Sequence, residues 1–216
     1  MPAASFRRAR APERKLERRD AILDVAERCV LRTAFGAICM NDVAGRLGLS
    51  KGTLYLYFST KEALFLGVMR RAFERFFARA GEALGTGRAT RAEVADALLT
   101  ALDSVPALPR LASVLHSSLE HNVSAREIAA FKHFLREHVV ELGERIDRSL
   151  RWRAGSGARL LLRFHVLVIG LHDVSTPSPA VARALADEEL ALFRIDFRSE
   201  FAAMLRLLLQ PNLEEN

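Results

Sequence analysis

The chain has 216 residues, half of them hydrophobic, which is enough to bury the core of one large or two modest domains and excludes disorder except at the ends. Its formal charge of +6 lies wholly in the first 61 residues, where twelve Lys plus Arg face six Asp plus Glu; the remainder carries twenty of each. One segment is therefore built to meet a polyanion and the rest is not. Cys29 and Cys39 alone cannot staple a chain of this length and match no zinc spacing, so a disulfide framework is excluded and a reducing, cytoplasmic setting is expected. The N-terminus lacks the apolar stretch of a secretory leader. The most apolar run, Leu160 to Leu171, is interrupted by Arg163 and His165 and is too short to cross a bilayer, so no membrane partner is expected.

Residues 1–14 hold Pro2, Pro12 and four arginines without apolar periodicity and read as a flexible basic arm. From Lys15 onward the spacing is helical throughout, with no strand alternation, so the expected fold class is all-α. A first helix is predicted from Leu16 to Ala34, with Ile22, Val25, Ala26, Cys29 and Val30 on its buried stripe. Two short helices follow, Asn41–Leu47 and Lys51–Tyr57, then a long one from Lys61 to Leu84, closed by Gly85-Thr86-Gly87. Thr90 caps a helix through Val105, and Pro106 and Pro109 separate it from another reaching Glu120. Ser124, with Glu127 in the capping-box position, opens a long helix to Trp152. An apolar helix over 158–174 ends at Thr176-Pro177-Ser178-Pro179, and a last helical region runs over 188–209.

The informative segment is Asn41 to Phe58. Val43, Ala44 and Leu47 line the inner face of the first short helix, Gly48 permits a tight turn, Ser50 N-caps the second short helix, and Leu54 and Phe58 anchor it. Lys51, Gly52, Thr53, Tyr55 and Tyr57 are left at its start or outer side, within reach of base edges and phosphates. The run Ser50-Lys51-Gly52-Thr53-Leu54-Tyr55-Leu56-Tyr57-Phe58, followed by Lys61-Glu62-Ala63-Leu64, closely resembles the DNA-binding domain of the TetR (tetracycline repressor) family over about residues 18 to 66. The resemblance implies a helix-turn-helix domain at 15–62 and a larger helical ligand-binding and dimerisation domain at 63–216. It further implies that Met40 and Asn41 touch a phosphate or a base, that Lys51, Gly52 and Thr53 face the major groove, and that Tyr55, Tyr57 and Lys61 hold phosphates. Cys39 stands where the family usually has a Thr or Ser N-cap, and a thiol there weakens the cap by roughly 1 kcal/mol. The bland alternatives are a Tyr55 packed in the core, solvated Lys51 and Lys61, and an inert thiol at Cys39.

All six histidines follow residue 110, but His116/His121 and His133/His138 are five apart on different helix faces, so no metal and no cofactor is expected. The better reading of the C-terminal half is an apolar ligand cavity. Its candidate lining is Leu98, Leu102, Leu115, His116, Leu119, Phe131, Phe134, His138, Trp152 and Phe164, which suits an apolar or aromatic small-molecule effector. Helices 158–174 and 188–209 carry more apolar surface than one domain can cover, which fits a homodimer through a four-helix bundle and a palindromic double-stranded operator. The expected function is a ligand-released transcriptional repressor. Alternatives are a regulator without an inducer or an activator; no phosphate loop, zincin motif or nucleophile elbow supports an enzyme.

Overall fold

A computed structural model of the chain describes residues 4–114 and 123–210, with side chains from residue 13 onward. The helices are α1 (Ala4–Arg32), α2 (Met40–Arg46), α3 (Lys51–Tyr55), α4 (Lys61–Leu84), α5 (Arg91–Asp103), α6 (Ala107–Val114), α7 (Ala125–Leu150), α8 (Ser156–Ser175), α9 (Pro179–Ala184) and α10 (Phe197–Leu208). No strand occurs among the described residues.

Local chemistry sets most boundaries. Thr60 accepts from the Ala63 N–H at 2.9 Å to start α4, and Gly85, at φ +63°, ends it. Thr90 with Glu93, and Ser124 with Glu127, close reciprocal capping boxes on α5 and α7. Four expectations change. α1 begins at Ala4, so the stretch read as a flexible arm is helical from there to residue 14; its Ala, Arg and Glu residues are strong helix formers. Pro109 is not a break but the third residue of α6, where a helix needs no N–H. Pro179 opens α9 at its first position under a Ser178 cap. The last region is split, a 3₁₀ stretch at Glu188–Phe193 being separated from α10, which Asp196 caps through the Ser199 N–H at 2.8 Å.

α4 is the axis of the molecule. It packs on α1 at its start and on α5, α6 and α7 further along, and its buried Leu64, Phe65, Met69, Phe73 and Phe76 join one continuous core. α7 and α8 form a tight antiparallel pair. Asp147, buried at the end of α7, accepts from the Gly155 and Gly157 peptide N–H groups at 2.8 and 2.7 Å and so satisfies donors at the start of α8. A Cβ on Gly157 would stand 2.2 Å from the Gly143 carbonyl oxygen, so this crossing has room for neither side chain.

Candidate functional site

α2 packs on α1 and α3 on α2, and Val43, Ala44, Leu54 and Phe58 are buried in the same core as Ile22, Val25 and Ala26. Gly48, at φ +62°, makes the turn between them, a conformation that a side chain would strain. Ser50 Oγ accepts from the Thr53 N–H at 3.1 Å and lies 2.8 Å from the Thr53 hydroxyl. With Leu54 and Phe58 holding α3 from below, Lys51, Gly52 and Tyr55 stand exposed and Thr53 is half-exposed on the outer side. The Lys51 ammonium lies 5.8 Å from the Tyr55 ring centre, so charge and phenol share one patch. Asn41 joins the exposed set from the start of α2. Asp42 reaches back to the Cys39 N–H at 3.4 Å, supplying the return bond beside the weak thiol cap; bonds from Cys39, first the thiol and then the peptide N–H, hold the Asp42 carboxyl below its ordinary value.

Three residues depart from what the resemblance implied. Met40 is buried in the core, 6% exposed. Tyr57 is half-buried and packs against the core. Lys61 is turned inward: its Nζ donates to the Phe35 carbonyl at 2.5 Å and sits 4.2 Å from the Phe35 ring centre. Partial burial pushes the Lys61 ammonium below its usual value, Glu62 and then Cys39 opposing. Lys61 thus pins the α1–α2 connection to the start of α4 as a second donor on the Phe35 carbonyl, which also accepts from the Ile38 N–H at 3.2 Å within its short 3₁₀ turn.

The domain carrying this surface is tied to the rest at two places. Arg71 and Arg75 of α4 pair with α1, Arg71 with Asp24 at 2.7 Å and Glu27 at 3.2 Å, and Arg75 with Glu27. Arg110 of α6 donates to the Val30 and Leu31 carbonyls at 3.0 and 2.9 Å, capping the C-terminal end of α1 with a cation.

A cavity of about 450 Å³ lies between α4, α6, α7 and α8. Phe73, Phe76 and Phe77 wall it from α4, Leu108 from α6, Leu135 and Val139 from α7, and Leu161, Phe164 and Val168 from α8. Of the lining read from the sequence, Phe164 is in this wall. Leu98 and Leu102 are buried on α5, whose neighbours are α4 and α10. Phe131 and Phe134 stack on each other beside Phe73, while His138 donates from Nδ1 to the Phe134 carbonyl at 3.0 Å, which commits that imidazole to its own helix. Trp152 is half-buried at the α7–α8 turn, away from the wall. Leu115, His116 and Leu119 lie outside the described residues. Which neighbours leave space beside the α4 aromatics depends on how α7 and α8 cross.

Comparison with known proteins follows the same division. Residues 22–68 match the family described as bacterial regulatory proteins, tetR family, and residues 70–211 match the tetracyclin repressor-like C-terminal domain. The chain is 24% identical over 110 residues to the HTH-type transcriptional repressor KstR2 of Rhodococcus jostii, 51% of this chain and 54% of that protein. It is 36% identical over 75 residues to the repressor KstR of Mycolicibacterium smegmatis, 35% of this chain and 37% of that one, so the chain spans about half or less of these curated relatives. In fold it is similar to the fatty acid degradation regulator FadR from Bacillus halodurans, with a TM-score of 0.58, 16% identity, and 91% of this chain and 97% of that one covered. With residues 22–68 and 70–211 both matched, the chain belongs to the tetR family of bacterial regulatory proteins.

Proposed function

We propose that the protein is a cytoplasmic homodimeric repressor that grips a palindromic operator with α3 of each protomer and lets go when a small molecule fills the cavity. The observation that carries this reading is that α4 belongs to both sites: Lys61 at its start holds the helix-turn-helix, and Phe73, Phe76 and Phe77 at its middle wall the cavity. A ligand pressing on the phenylalanines and on Leu108 acts on α4 and α6 together. α6 passes the displacement to α1 through Arg110, and α4 does so through its ion pairs with Asp24 and Glu27. Because two α3 helices must enter major grooves at a fixed spacing, a small rotation of each domain is enough to release DNA.

Dimerisation is supported by an unpartnered apolar face on α8 and α10. Leu162 and Val166 of α8 are 58% and 67% exposed, and Met204 and Leu207 of α10 are exposed beside them, while Phe201 and Leu205 turn inward. A two-helix face of this kind is self-complementary under two-fold symmetry. No described helix is long and apolar enough to cross a membrane.

The test is binding of the purified chain to the DNA flanking its own gene, followed by fluorescence anisotropy against random duplex. Lys51→Ala and Tyr55→Phe are expected to weaken operator binding at least several-fold without altering the melting temperature. Val166→Glu with Leu207→Glu is expected to give a monomer by light scattering that no longer protects a palindrome. Full operator binding by the Lys51 and Tyr55 variants would refute the assigned surface.

A further inference from the structure

We infer that the ligand of the α4–α7–α8 cavity is an amphipathic anion, an apolar body ending in a carboxylate, with its head held at Lys132 and Arg136. This rests on the reading of that cavity as the effector site and adds its chemistry. The wall is apolar at depth, where Phe76, Phe164 and Val168 are nearly fully buried. The lining residues that can carry charge are Lys132, Arg136 and His165, and none of the described lining residues is acidic. Lys132 and Arg136 are exposed, which puts them at the mouth. Being four residues apart on α7, they stand one turn above another on the same face.

A carboxylate between two such side chains accepts charge-assisted hydrogen bonds from both. The exposed Val140 completes the mouth, so a chain entering there passes from cations into phenylalanines. A polyanion such as a nucleotide finds no further Lys or Arg among the described lining residues, and a cation finds no acidic side chain among them. The volume of about 450 Å³ falls within the range of about 300–1,000 Å³ that encloses small organic ligands.

Three probes with one tail separate the contributions: dodecanoate, dodecanol and dodecylamine, each titrated into the full-length protein below its micelle concentration by calorimetry. Dodecanoate is expected to bind saturably at one site per protomer, roughly ten-fold or more tighter than dodecanol, with dodecylamine weakest. The double variant Lys132→Gln with Arg136→Gln, both exposed and therefore expected to fold, should lose that advantage and leave dodecanol binding unchanged. Leu135→Trp, which fills the cavity from its half-buried edge, should weaken dodecanoate and dodecanol alike. If dodecanol binds as tightly as dodecanoate, or the glutamine pair keeps the preference, the anionic assignment falls and the cavity reading stands. If Leu135→Trp leaves all binding intact, or no probe binds, the cavity reading falls with it.

Discussion

Replacing Lys61 with methionine separates two roles that predict opposite readouts. As a phosphate clamp, Lys61 would contribute to DNA affinity and nothing to folding. As a pin, it holds Phe35 through a hydrogen bond of 2.5 Å and a ring contact at 4.2 Å. A charged donor on a carbonyl contributes about 1.5–3 kcal/mol and a cation–ring contact about 0.5–1 kcal/mol, and the burial that lowers its pKa offsets part of both. The expected net loss for Lys61→Met is about 1–2 kcal/mol. At this chain length that is a fall of roughly 2–8 °C in Tm, read by calorimetry. Operator affinity measured against salt supplies the second readout. Loss of a phosphate contact flattens the log–log slope by about 0.9 per contact, whereas loss of the pin weakens binding without changing the slope. A flattened slope with an unchanged Tm would refute the inward role and restore the clamp.

Gly157→Ala should be among the most damaging single-methyl changes, since the added carbon meets the Gly143 carbonyl at 2.2 Å; a loss of about 3 kcal/mol or more, or failure to accumulate as folded protein, is expected in denaturant melts. Thr53→Ala should cost well under about 1 kcal/mol, because the Thr53 N–H keeps its bond to Ser50 Oγ, yet it should change operator preference; equal loss on cognate and random DNA would contradict a base-reading role. His172 titrates with a definite sign. Burial, with repulsion from Arg110 and against attraction from Asp173, holds its folded-state pKa below the ordinary 6.5. As pH falls below 6.5 the unfolded chain takes up the proton first, so stability drops until the folded form also protonates. His172→Gln should therefore melt with a flatter pH dependence between neutral and mildly acid buffer, and an unchanged slope would dismiss that contribution.

The places where sequence reading and structure part are of one kind. α4 runs from Lys61 to Leu84, the bounds expected of it, because a threonine cap and a glycine stop act within a few residues of the ends they set. Ser50 caps α3 for the same reason. Pro109 misled in the same local way, whereas the run through Pro179 does end α8: a proline announces a missing N–H but not whether it falls before a helix or inside its first turn. At the candidate DNA surface, residue types and spacing were enough to place Lys51, Gly52, Thr53 and Tyr55 on the outer side, since Leu54 and Phe58 can face only one way.

What the sequence could not decide is what lies opposite a side chain. Met40 reads as a surface residue at a helix start and is core because α1 stands over it. Lys61 reads as a free cation and is a pin because the Phe35 carbonyl, 26 positions away, comes within reach. Leu98 and Leu102 have the same inward spacing as Leu161 and Phe164, yet one pair packs solid and the other borders the cavity. The sequence by itself determined the helices, the turn, the basic end and the family. Tertiary structure alone decided which buried face meets another face and which meets space, because periodicity records that a side chain turns inward and carries nothing about the distance to the helix across from it.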